Sequence, residues 1–422
     1  MLHRLLTLAL VVLLAGCAPA QKFRKASTGV PVARILLARD AASVALSADG
    51  PFRVSYSERG SSSDVLSRGG KVRVRWDEGN RVLVLLPGAE SPVEHTLPLH
   101  IAGTEGRAAI SVDGKPYRGK IDLVRGNGGM LIINAVDIES YLRGVVPAEI
   151  GYLEEKKMEA VKAQAVAART YALKRLGTGK NKNYDLEATV ADQVYKGKSA
   201  EQVLSDRAIV ETAGVVAMHR GRLIDAYYSS TCGGRTAAIR DVWEKENASY
   251  LRGVRDCARG QSEKNQAYCR GSTYFEWTVT WTGDELHRTL SRSLPNVLGK
   301  SIDIGEIKDI RIRGSHRCGR VKTLEIRTTG GTYRVKGDRV RWVLRQPGNG
   351  NALWSAKFKI KVKRSRGRVS QVVATGQGFG HGVGMCQEGA IQMSREGIRY
   401  EDILKHYYPG IRLEKMVYDP VS

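Results

Sequence analysis

Acidic side chains are scarce in this sequence: 43 Asp and Glu face 67 Lys and Arg across 422 residues, a net charge of +24. Such an imbalance disfavours cationic ligands and favours polyanionic partners: nucleic acid, anionic lipid heads or cell-wall polymers. The basic residues are scattered, with no single tract, so part of the excess is ordinary solvated surface. No apolar run reaches the roughly 20 residues that a membrane-spanning helix needs. No C-x-x-C pair occurs among the six cysteines, so spacing offers no structural zinc motif. The glycine-rich segments lack the terminal Gly-Lys-Ser/Thr of a phosphate loop, and no internal repeat is visible. An apolar content of 42 % is ordinary for a globular fold and excludes a disordered chain.

The N-terminus sets the compartment. "MLHRLLTLALVVLLAGCAPA" opens on Arg4, runs apolar from Leu5 to Ala15 and ends in Leu14-Ala15-Gly16-Cys17. The apolar run is too short for a span but suits a signal-peptide core, and its end looks like a bacterial lipobox. In that reading residues 1–16 are removed, Cys17 is lipidated, and residues 17–32 form a tether. A non-lipidated secretory peptide is the plainer alternative. Ala18 and Pro19 stand where an Asp commonly retains lipoproteins at the inner membrane. The expected location is therefore the periplasmic face of the outer membrane. An exported lipoprotein rarely meets nucleic acid, so lipid heads and wall polymers are the preferred partners. Lipidation leaves five cysteines, an odd number that disulfides cannot exhaust, and one or two disulfides are the default in an oxidising compartment.

Residues 33–125 alternate apolar and polar in short runs such as "FRVSYS" and "KVRVRW", divided by turn signals such as "DGKPYRG". This pattern predicts a small all-β domain. Residues 126–422 form the second region. Residues 129–146 read as extended, and a strong helix follows over 154–176, with Met158, Val161, Ala165, Ala168, Ala172 and Leu176 on one face. Lys162 and Arg169 flank that stripe at the edge of the core, or are an ordinary snorkelling pair. Strands return afterwards, among them "YFEWTVTW" and "KFKIKVKR", with short helices at 200–212, 283–293, 337–346, 387–396 and 400–406. The fold class is α+β, mostly strands with one prominent buried helix, preceded by the small all-β domain.

Three segments can carry chemistry. In "VVPAEI", Glu149 follows Pro147 in what reads as a turn just ahead of the helix. There a helix dipole favours the ionised form, while burial against Val146, Ile150 and Tyr152 pushes the other way. Glu149 is thus a capping carboxylate or a proton donor aimed into a cleft. "AYYSSTCGGRT", from Ala226 to Thr236, reads as a loop of hydroxyls able to bind sugar or peptide. "GQGFGHGVGMCQEGA", from Gly376 to Ala390, sets His381 in a sterically open loop, as a structural or a binding histidine.

Taken together, "IESYLRGVVPAEI", "EAVKAQAVAARTYAL", "YYSSTCGGRT", "VWEKENASYLRGVRD", "GFGHGVGMCQEGAIQM" and "GIRYEDILKHYYPG" resemble the stage II sporulation protein D family, the SpoIID/LytB domain. The matching pieces run from about Leu131 to Pro409. The resemblance implies a peptidoglycan lytic transglycosylase that cleaves between N-acetylmuramic acid and N-acetylglucosamine, preferring strands without stem peptides. It implies that Glu149 is the catalytic acid and that Lys162 and Arg169 belong to a basic cleft. It also puts His381 and Gln387 in the loop bordering that cleft, and Gln164 and Tyr228 complete the candidate substrate-binding set. Other members are amidase enhancers, so a non-catalytic peptidoglycan-binding module with an amidase partner is the alternative. One member binds zinc through His and Cys near the hydroxyl loop. Here Tyr228 replaces that His, which leaves Cys232, Cys257 and Cys269 as candidates for a site or a disulfide. No cofactor and no catalytic metal are expected. A single glutamate suffices for a transglycosylase, although glycoside hydrolysis generally takes two carboxylates. The sugar's own 6-hydroxyl is the nucleophile, so one group serves as acid and then base.

Overall fold

The computed structural model describes residues 29–58, 61–67, 70–104, 108–151, 154–178 and 182–417. The signal peptide, Cys17 with its lipidation, most of the tether and Tyr152 lie outside the described residues. Among the described residues no helix is long and apolar enough to cross a membrane. The mixed α+β class is as expected, with strands in the majority.

Two antiparallel sheets form the first part of the chain. One orders its strands Leu186–Glu187, Val32–Ala41, Met130–Asp137, Lys120–Arg125, Leu99–Gly103, Phe52–Glu58 and Ser61–Ser67; of these only Leu186–Glu187 pairs in parallel. The other runs from Lys115–Tyr117 through Ile110–Val112, Ser43–Ala48, Val72–Trp76 and Arg81–Leu85 to Val93–Thr96. Strict alternation buries Val72 and Val74 and exposes Arg73 and Arg75, as a half-solvated sheet requires. Val32–Ala41 pairs along its length with Met130–Asp137. Through that pairing the apolar core continues from the sheets into the helices without a break.

The segment read as extended over 129–146 is a strand only as far as Asp137. Helix α1 (Ile138–Ile150) begins there, with the Asp137 carboxylate accepting from the Ser140 N–H at 2.9 Å. Pro147 and the β-branched pair Val145-Val146 suggested an extended turn. Near a helix end, however, the missing proline N–H costs one hydrogen bond and leaves the chain helical. Helix α2 (Met158–Arg175) follows. It lacks the single apolar face expected of it and is buried nearly all round, with Gln164, Arg169 and Thr170 fully enclosed. Alanine at positions 160, 163, 165, 167, 168 and 172 lets α1 and the surrounding helices approach from every side.

Residues 276–377 have a core of their own around Trp281, Leu286, Leu290, Ile310, Leu324 and Val372. It is enclosed by the sheet of Glu276–Thr282, Arg368–Gln377 and Phe358–Ser365, a second three-stranded sheet from Ile307 to Lys336, and the helix Gly283–Leu298. This unit separates the hydroxyl loop from the glycine-rich loop in sequence, yet the two meet in space. Tyr228–Ser229 pairs in parallel with Met385–Cys386, and Thr231 and Ala237 bridge to Phe379 and Val383.

Candidate functional site

Glu149 sits in the last turn of α1, not ahead of a helix N-terminus. The dipole argument therefore reverses: the negative end of α1 disfavours the ionised carboxylate. The side chain is half-buried. Its Oε1 accepts from the backbone N–H of Val194 at 2.7 Å. Burial pushes the carboxyl above its ordinary value, against the opposing pull of the Val194 N–H and the Tyr228 and Gln387 side chains. Among the described residues, no cation is one of the groups that perturb it. A hydrogen-bonded acid without an adjacent positive charge is one that can hold its proton.

Side-chain amides and hydroxyls surround this group. Gln193 donates from Nε2 to the Tyr228 hydroxyl at 2.8 Å, and its Oε1 accepts from the Tyr141 hydroxyl at 3.2 Å. With its lone pair so occupied, the Tyr228 O–H is directed to the Glu149 carboxylate. Burial, with Glu149 second, raises Tyr228 well above the usual phenol value, so it remains a neutral donor. Gln387 opens the helix after the glycine-rich loop and donates from Nε2 to the Glu149 carbonyl at 3.1 Å and to Gln164 Oε1 at 3.4 Å. Gln164 Nε2 is buried without a partner among the described residues.

His381 acts one step back. Its Nδ1 accepts from the Val383 N–H at 3.0 Å, and its ring lies 4.9 Å from that of Trp243. Burial lowers its pKa to about 4, so the imidazole is neutral and braces the loop. Glycine is needed beside it for steric reasons: Gly384 has a φ of 75°, and a Cβ there would collide with the Tyr227 carbonyl.

The two cations of α2 are committed elsewhere. Arg169 is fully buried, and its guanidinium donates through Nε and Nη2 to the two oxygens of Glu139 at 2.8 and 2.7 Å, and to the Val215 carbonyl at 3.1 Å. Lys162 Nζ lies 2.9 Å from Glu159 and 2.8 Å from Glu211. The structure thus gathers Glu149, Gln164, Tyr228 and Gln387, braced by His381, and holds Lys162 and Arg169 in ion pairs of their own. Sequence reasoning missed Gln193, Tyr141 and the Val194 N–H, which belong to no motif. It also missed the start of α1, although Asp137 followed by Glu139 is a helix-start signal.

All five described cysteines are free and buried, so the expected disulfides are not formed. Cys232 and Cys269 come together, whereas Cys257 stands apart with its thiol on the Gln261 carbonyl at 3.6 Å.

Fold and site together define a mixed α+β protein organised around one hydrogen-bonded carboxylate at the end of a helix. A family model described as Stage II sporulation protein matches residues 126–219, and a domain of unknown function, DUF8618, matches residues 237–384. The chain is 32 % identical over 308 residues to an uncharacterized protein of Brachyspira hyodysenteriae, covering 73 % of this chain and 74 % of that one. It is 30 % identical over 298 residues to stage II sporulation protein D of Bacillus subtilis, covering 67 % and 76 %. Identity to the amidase enhancer of Bacillus subtilis is 29 % over 334 residues; the match spans 72 % of this chain but only 45 % of that relative's length. The chain belongs to the stage II sporulation protein D family.

Proposed function

We propose that this chain is a peptidoglycan lytic transglycosylase that cleaves the bond between N-acetylmuramic acid and N-acetylglucosamine, with peptide-denuded strands preferred and Glu149 as its single acid/base. The observation that carries the reading is a half-buried carboxyl whose proton affinity burial raises, with three hydrogen-bond partners and no cation beside it among the described residues. Glu149 gives its proton to the glycosidic oxygen as the bond to C1 of the muramic sugar breaks. The carboxylate then takes the proton of that sugar's 6-hydroxyl as its oxygen bonds to C1. The 1,6-anhydro ring closes and the acid is regenerated. Tyr228 and Gln387 hold the carboxyl in place through both steps. Lys162 and Arg169 contribute to the packing of α2. The Cys17 lipid anchor would hold the enzyme at the periplasmic face of the outer membrane, within reach of the glycan.

The amidase enhancer among the relatives favours a second reading, a non-catalytic module that binds glycan and stimulates an amidase. One experiment separates the two. Purified glycan, intact and peptide-denuded, is incubated with wild type and with Glu149→Gln, and soluble products are read by mass spectrometry. Catalysis predicts anhydro-muramic ends from the wild type and at least about a 100-fold loss in the variant. Absence of anhydro products from both, with glycan binding intact, leaves the enhancer reading.

A further inference from the structure

We propose that Cys232, Asp256, Cys269 and Cys386 form a closed structural site for a zinc-class divalent cation, which pins the hydroxyl loop to the glycine-rich loop. The three sulfurs and one Asp256 carboxylate oxygen all lie within 4.8 Å of one another, and all four residues are buried, none more than 1 % exposed. The Cys232 and Cys269 sulfurs are 3.7 Å apart. A disulfide brings two sulfurs to about 2.0 Å, so this pair is not bonded. Two ligands of a tetrahedral zinc, each about 2.3 Å from the metal, stand about 3.8 Å apart. The observed separation fits the ion.

The surroundings match a metal's outer layer. The Cys232 N–H donates to Cys386 Sγ at 3.2 Å. Asp256 is oriented by the Tyr407 hydroxyl at 2.5 Å and the Cys269 N–H at 3.1 Å. Such contacts fix ligand direction around metals. Asp256 is fully buried and has no ion-pair partner among the described residues, and buried carboxylates are ordinarily paired or coordinate metals. Lys357, on the carbonyl of Gly233, adds positive charge beside Cys232. Three sulfurs and one oxygen suit a borderline-soft ion better than magnesium or calcium. Four protein ligands leave no open position, so the site is structural and not catalytic.

Tyr228 is not among the ligands, and its hydroxyl turns to Glu149. The four ligands come from four separate segments. Two of them lie in or just beyond the paired strands Tyr228–Ser229 and Met385–Cys386, and Gln387 is the next residue after Cys386. The ion therefore holds in register the two strands that carry the partners of Glu149, whether or not Glu149 is catalytic.

The test uses the purified full chain. Elemental analysis should find about one zinc per chain. A strong chelator should remove it, lower the thermal midpoint, and open three thiols to alkylation that were protected before. Exchange with cobalt should give the intense visible absorption of a tetrahedral thiolate-bound ion. Asp256→Cys should keep one metal and shift that spectrum as a fourth thiolate joins, while Cys318→Ser, outside the cluster, should leave metal content unchanged. A metal-free chain whose three thiols alkylate without chelator overturns the proposal. So does an intact mass two hydrogens light, mapped to a bond between Cys232 and Cys269. If cysteine variants do not fold, the wild-type metal content and the chelator-released thiol count still decide the matter.

Discussion

The backbone N–H of Val194 donates to Glu149 Oε1 at 2.7 Å, joining the loop after Leu186–Glu187 to the last turn of α1. That bond sets the direction of the carboxylate. It uses a backbone donor, so no substitution at position 194 other than proline removes it. An amide oxygen accepts the same bond, so Glu149→Gln should keep the fold: its urea midpoint should match wild type, while the anhydro product is lost.

Tyr228→Phe tests the balance of forces on that carboxyl. The Tyr228 hydroxyl favours the ionised form, and burial opposes it. Removing the hydroxyl should raise the Glu149 pKa further. The alkaline limb of the pH–rate profile, where the acid loses its proton, should move to higher pH. A limb that moves down or stays fixed would mean the phenol does not reach the carboxylate.

Glu139 and Arg169 predict an asymmetric loss of stability. Glu139→Ala strands a guanidinium with no exposed surface and should cost about 3–5 kcal/mol in denaturant unfolding. Arg169→Met fills the same space with apolar atoms and leaves Glu139, which is 23 % exposed, in reach of water. It should cost clearly less.

His381 makes a pH-dependent contribution whose sign is fixed. Its folded pKa, about 4, lies below the usual 6.5. Between those values the unfolded chain binds a proton that the folded chain refuses, so stability is lost as pH falls from about 6.5 towards 4. The loss is at most about 3 kcal/mol. His381→Asn should be less stable at neutral pH and show a flatter slope across that window, measured by urea unfolding at stepped pH.

Much of this was legible in the sequence for local reasons. Alternation with a period of two marks the strands, as in Val72–Trp76, because side chains of a strand point alternately to core and water. Helix α2 declares itself through alanines and charged ends. The glycine-rich loop declares itself because positive φ beside a close carbonyl admits nothing larger than glycine. Glu149 was legible as an isolated acid next to a helix, but its setting was not. Pro147 resembles a turn signal, and it is the packing of α1 against α2 and against the segments Gly197–Ala200 and Val203–Glu211 that keeps it helical.

The sequence by itself determined the α+β class, the isolated acid and the two loops, since each follows from local periodicity and backbone sterics. Tertiary structure alone decided what touches Glu149: the Val194 N–H, the Tyr228 hydroxyl that Gln193 positions and the Gln387 amide come from segments 45 to 238 residues away. It also decided that Arg169 faces Glu139 and not a cleft, and that three cysteines and an aspartate converge. Proton affinity, ion pairing and metal binding depend on neighbours within a few ångströms, and in a sheet-rich chain those neighbours are chosen by long-range strand pairing.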